Sequence, residues 1–90
     1  MDTVKTQSIG FLIFDGFPMA CLTSMIEPLR AANEISGKEA FSWTLVAETG
    51  AKVRSSAGVS FEPDVILSQS SGLECLILLS PPLGAFENPK

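Results

Sequence analysis

The sequence predicts an α/β domain: a parallel sheet between helix layers, with a small antiparallel hairpin beside it. Three observations carry this. Ile9–Phe14 is an apolar run that wants both faces covered, and Glu74–Ser80 (ECLILLS) is a second one. Between them, Leu22, Met25, Ile26, Leu29 and Ala32 recur at helical spacing. Val59 and Phe61 alternate with Ser60 and Glu62, the pattern of a strand with one solvated face.

The elements follow in order. Met1–Gln7 is polar and reads as a frayed lead-in. Ile9–Phe14 is the first strand, too short to span a membrane. Asp15-Gly16-Phe17-Pro18 gathers turn formers and must end it. Pro28 lacks an N–H, so a short turn over Met19–Ile26, a kink, and a regular helix over Glu27–Ser36 are expected. Gly37 stands where a helix C-cap belongs. Strand, turn and amphipathic helix make the first half of a βαβ unit.

Ser42–Glu48 is rich in β-branched and aromatic residues and forms the second strand. Val53–Ser56 and Val59–Glu62 flank Ala57-Gly58 as a hairpin. Asp64 is placed to cap a short helical turn over Val65–Ser68. Cys75–Leu79, apolar on both faces, suits a central parallel strand, and Pro81-Pro82 stops it. Ile9–Phe14, Trp43–Ala47 and Cys75–Leu79 are therefore expected to be adjacent and parallel.

Composition narrows the function. The chain has 90 residues and a net charge of −4, with no basic block, so nucleic-acid binding by this segment is not expected. No signal peptide is read at the start, and a cytoplasmic, reduced setting is the expectation. Cys21 and Cys75 fit no metal or disulfide spacing and are expected as structural thiols, Cys75 in the core. The sequence contains no His, which excludes a Ser-His or Cys-His pair within it. No cofactor or metal is indicated.

In open parallel sheets ligands bind at the carboxyl ends of the strands. Asp15–Pro18, Glu48–Gly50 and Ser80–Pro82 lie there. Asp15, Gly16, Phe17 and Ser80 are thus candidate ligand-binding positions. Glu27 joins them if its carboxylate reaches the crevice. Its alternative is a solvated stripe with Arg30 and Glu34 on the helix surface. Asp15-Gly16 opens no G-x-G-x-x-G or phosphate-loop pattern, so a plain strand-to-helix turn is the better reading.

FLIFDGFPM, IEPLRAAN, FSWTLVAETGAKVRSSAGVSFEPD and LECLILLS together resemble the amino-terminal domain of a group of AraC-type bacterial transcription regulators. That domain is the PfpI-like branch of the class I glutamine amidotransferase superfamily. EPLRAAN (Glu27–Asn33) and S-x-G-V-x-F-x-P-D (Ser56–Asp64) are its more specific motifs, and the first favours the regulators over free-standing PfpI-like enzymes. The resemblance implies a flavodoxin-like sheet truncated here, with helices on both faces, since the pattern continues past Lys90. It implies a sensor of small metabolites, amino-acid-like or quaternary amines, that does not turn them over. Glu27 matches the acidic partner of a nucleophile position lying beyond this sequence, and DNA is read by a carboxy-terminal helix-turn-helix pair absent from it. A fragment of a PfpI-like hydrolase or amidotransferase is the alternative. The sequence departs from the pattern at Pro81-Pro82, where a glycine pair is usual; proline offers no N–H to a bound anion. Truncation would leave Cys75–Leu79 with an exposed hydrophobic edge, so either a homodimer through this strand or poor folding is expected.

Overall fold

A computed structural model describes residues 5–81. Strand β1 (Gln7–Ile13) leads through the Asp15–Pro18 turn into helix α1 (Met19–Ser36) and back to β2 (Phe41–Ala47). Two short strands, β3 (Val53–Arg54) and β4 (Ser60–Phe61), form a separate antiparallel hairpin. Then come β5 (Val65–Ile66), a 3-10 turn over Leu67–Gln69, and β6 (Cys75–Leu79). The main sheet runs β5-β2-β1-β6, and every pairing in it is parallel. The expected adjacency of the three long strands is borne out: Phe11 lies between Leu45 of β2 and Ile77 of β6.

Strand alternation sorts the side chains into two faces. Phe11, Ile13, Ala47 and Leu79 point to one, where they form the core with Leu22, Phe17 and Val53. The apolar stripe of α1 (Met25, Ile26 and Leu29) packs against that cluster. Leu12 and Val46 are buried on the opposite face, but Leu76 and Leu78 of β6 are exposed there. Among the described residues no helix covers this second face.

Helix α1 is one element, not the two pieces expected around Pro28. Pro28 and Ser24, whose carbonyl loses its i+4 donor, both lie on the exposed side. Water can therefore satisfy that carbonyl without breaking the helix. The C-cap is as expected: Gly37 is left-handed at φ 72°, and its N–H donates to the Asn33 carbonyl at 3.0 Å.

Four local expectations are corrected. Val65–Ile66 is not helical; it pairs with Val46-Ala47 as an edge strand, and only Leu67–Gln69 turns. The β-branched pair finds a half-buried sheet position, and Asp64 serves that strand instead of a helix end. The hairpin ladder is shorter than expected, so Val59 lies outside it and is 45% exposed. Cys75 is exposed and not in the core, because β6 borders the described sheet instead of sitting in its middle. Cys21 is exposed too, on the outer side of α1.

Asparagine and aspartate side chains brace the sheet against its loops. Asn33 acts on Phe41 as a strand neighbour would: its Nδ2 donates to the Phe41 carbonyl at 2.9 Å, and its Oδ1 accepts the Phe41 N–H at 3.0 Å. Asp64 does the same for Leu45. Its Oδ2 accepts the Leu45 N–H at 2.8 Å, and its own N–H donates to the Leu45 carbonyl at 2.8 Å. Both ends of β2 are thereby held.

Candidate site at the carboxyl edge of the sheet

Chain order and sheet order diverge at β1. The chain moves from β1 to β2 and β5 on one side, then returns to lay β6 on the other. A reversal of this kind opens a crevice outside the carboxyl ends of the two strands that flank it. Here those ends are the Phe14–Phe17 turn and Ser80-Pro81. They touch: a side chain on Gly16 would place its Cβ 3.3 Å from Cβ of Pro81.

The turn is rigid because the hairpin grips it. Asp15 Oδ1 accepts the Arg54 N–H at 3.0 Å, and the Gly16 N–H donates to the Arg54 carbonyl at 2.7 Å. The Ser56 N–H donates to the Phe17 carbonyl at 2.8 Å. Ser55 is buried; its Oγ accepts the N–H groups of Ala57 and Val59 and donates to Met19 Sδ. Phe17 is wholly buried, edge-on to Phe61 with ring centroids 5.1 Å apart. Gly16 itself stands at φ 88°, a conformation that costs a side-chain-bearing residue about 1–2 kcal/mol. Gly16→Ala should therefore lower stability by about 1–2 kcal/mol in urea titration, with the Pro81 contact adding to the loss. An unchanged midpoint would show that the turn relaxes freely.

On the β2 side of this turn lies a cleft of about 140 Å³. Its floor is apolar (Ile13, Phe14, Ala47 and Val53), and its rim carries Asp15, Glu48, Thr49 and Lys52. Two acidic residues and one lysine thus border a small, open cleft. Lys52 has no ion-pair partner among the described residues, whereas Lys5 and Arg30 do.

The structure distributes the five candidate positions unevenly. Asp15 and Gly16 stand at the crevice, and Asp15 also lines the cleft. Ser80 is exposed just past β6. Phe17 shares the turn, but its ring is in the core and presents nothing to a ligand. Glu27 lies on the exposed side of α1, away from the cleft lining, where Arg30 Nε donates to its Oε1 at 2.9 Å. Arg30 Nη1 also donates to Glu34 at 2.9 Å. The Glu27 hydrogen bond leads in raising the Arg30 pKa above its usual value, so the charge persists at every pH where the protein is studied. In the chain as it stands, the solvated stripe is what Glu27 forms. Arg30→Ala should leave the urea midpoint unchanged, because exposed pairs of this spacing contribute little. Lys52 was not among the sequence candidates. It sits in a loop with no motif around it, and only the cleft reveals it.

No known protein-family model matches the sequence. Individual proteins do. The HTH-type transcriptional regulator GbdR of Pseudomonas aeruginosa is 39% identical over 72 residues, which cover 80% of this chain and 20% of that protein. The chain is related to the amino-terminal part of AraC-type transcriptional regulators. The HTH-type transcriptional regulator GlxA of Rhizobium meliloti is also 39% identical, over 59 residues, or 66% of this chain and 18% of that one. The chain thus spans about a fifth of the length of the curated relatives it matches. The crystal structure of an AraC family transcriptional regulator from Pseudomonas putida superposes with a TM-score of 0.76. That match covers 92% of this chain and 52% of the other at 22% identity, and it establishes the shared fold.

Proposed function

We propose that residues 1–90 are the amino-terminal portion of a PfpI-like sensor domain of an AraC-type regulator. In this reading the domain binds a small effector at the carboxyl edge of the sheet without transforming it. The observation that supports the reading is the reversal of strand order at β1, which brings the carboxyl ends of β1 and β6 side by side in a chain related to regulators. The adjoining cleft favours an effector with both charges, an amino-acid-like compound or a quaternary amine bearing a carboxylate: Asp15 and Glu48 suit the cation, and Lys52 the anion. The non-catalytic reading is supported by the relatives, which are transcriptional regulators.

Glu27 keeps a place in this proposal as a position completed by polypeptide outside these 90 residues. DNA contact belongs to a carboxy-terminal helix-turn-helix pair, and a cytoplasmic location goes with that role. Among the described residues no helix is long and apolar enough to cross a membrane.

A thermal-shift screen of the chain against amino acids, betaines and simple quaternary amines tests the sensing role. A saturable rise in Tm is expected, lost in Lys52→Gln and Glu48→Gln, whose side chains line the cleft. A flat response to the whole series, or a rise that both variants retain, would overturn the assignment of this cleft. In a mobility-shift assay at physiological salt, the chain alone should retard no DNA, since its net charge is −4.

A further inference from the structure

We propose that Asp15 does two jobs with one carboxylate: Oδ1 seats the hairpin, and the charge selects and orients a cationic group in the cleft. This rests on the effector-binding reading and adds to it the residue that decides how the bound molecule lies. Arg54 makes the arrangement possible. Its N–H donates to Asp15 Oδ1 at 3.0 Å, and its carbonyl accepts the Gly16 N–H at 2.7 Å. The two bonds clamp the backbone of Arg54 to the turn, much as a strand neighbour would. Val53, the preceding residue of β3, is buried and lines the cleft together with Asp15. One hairpin strand thus walls the cleft and fixes the carboxylate at its rim. The lining and the tether all lie between Ile13 and Arg54, so nothing in the arrangement is taken from the outer edges of the sheet.

A carboxylate accepts on both oxygens, and a single N–H occupies only one of those sites. Among the described residues Asp15 Oδ2 meets no other donor and no cation. The charge is therefore held in place without being neutralised. Glu48, the other acidic residue at the rim, is exposed and has no such tether among the described residues. Ordering it on binding costs side-chain freedom that Asp15 has already given up on folding. The pre-set charge decides where a cationic group goes, which is against the β1–α1 turn. The other end of the molecule then meets the loop over residues 48–52. Lys52 supplies the positive charge there. Thr49 Oγ1 accepts the Ala51 N–H at 3.2 Å and keeps its own proton to donate to an anion.

Matched pairs of probes separate charge from shape. Glycine and propionate differ only in an ammonium or a methyl group at one end. Betaine and 3,3-dimethylbutyrate differ only in a quaternary nitrogen or a quaternary carbon. Calorimetric titration of the chain at low ionic strength gives the dissociation constants. The cationic member of a pair is expected to bind about fivefold or more tightly than its uncharged-ended isostere. Asp15→Asn leaves an amide oxygen for the Arg54 N–H, so the urea midpoint stays at the parent's value while the preference within each pair disappears. Asp15→Ala loses the preference and lowers the midpoint as well, because the Arg54 N–H is left without its acceptor. Lys52→Gln weakens the two plain acids, whose charged end lies at the loop, and failure to do so would overturn the orientation. An Asp15→Asn chain that keeps the preference, or that weakens both members of a pair alike, overturns this role for Asp15 and leaves the sensing reading standing. So does a parent chain that holds both members equally well. A parent that binds none of the four probes overturns the sensing reading itself, and this role with it.

Discussion

Phe17→Ala should lower the stability of this chain by about 3–5 kcal/mol, a large part of the roughly 5–15 kcal/mol available to a small domain. The ring has no exposed surface and meets Phe61 edge-on at 70° between planes. It is the point at which the β1–α1 turn, the hairpin and the core converge. Truncation removes the apolar burial of a full aromatic side chain and leaves a void that the hairpin cannot collapse into. Asp15, Gly16 and Phe17 fix the hairpin's distance through three backbone-directed bonds. Phe17→Leu should cost visibly less, because it keeps most of the volume. Urea unfolding read by far-UV circular dichroism gives both values. Equal, small losses would mean that the hairpin packs loosely and the turn is not its anchor. The same experiment bears on function: a ligand-contacting Phe17 would lose affinity with its stability intact, whereas a core Phe17 loses stability first.

What the sequence made legible is governed by period. The runs at Ile9–Phe14 and Cys75–Leu79 and the helical stripe Leu22-Met25-Ile26-Leu29 announced the βαβ layout, because burial on two faces or one leaves a pattern that no local chemistry imitates. Neighbourhood is less legible. Cys75–Leu79 reads as a central strand from composition, and in residues 5–81 it borders the sheet, with Leu78 open to solvent. Nothing within five residues can say what lies beside them. Polar side chains fail for a different reason. Asp64 before a β-branched pair looks the same as an N-cap; whether its carboxylate takes a helical N–H or that of Leu45 is settled by a strand nineteen residues earlier in the chain. At the candidate site, Asp15, Gly16 and Ser80 are candidates by the rule that strand ends bind ligands, and of these only Asp15 lines the cleft. Phe17 came with them by adjacency alone, and Lys52 was missed because its partners at the cleft come from β1 and β2.

Asn33 was visible only as the last letter of EPLRAAN, and its replacement by Ala should cost about 2–3 kcal/mol. The side chain closes a two-bond ring with the Phe41 backbone, at the point where β2 begins. Neither Phe41 group finds another partner easily, since the residue is half-buried and its neighbour across the ladder is Gln7. Alanine therefore strands one donor and one acceptor, and the loss follows from unmet desolvation more than from the bonds themselves. Asn33→Asp separates the two halves of the ring. A carboxylate still accepts the Phe41 N–H, but it has no donor for the Phe41 carbonyl and sits near the negative end of α1. Both features favour the protonated acid, so its pKa in the folded state lies above that in the unfolded chain. A group raised in this way contributes its stability fully below the unfolded value and loses it as pH rises through the folded value. Asn33→Asp should thus approach the parent in acid and fall away from it towards neutral pH, while Asn33→Ala stays low throughout. Urea midpoints across that range decide the matter: two parallel curves would show that the Phe41 carbonyl does not depend on the Asn33 donor.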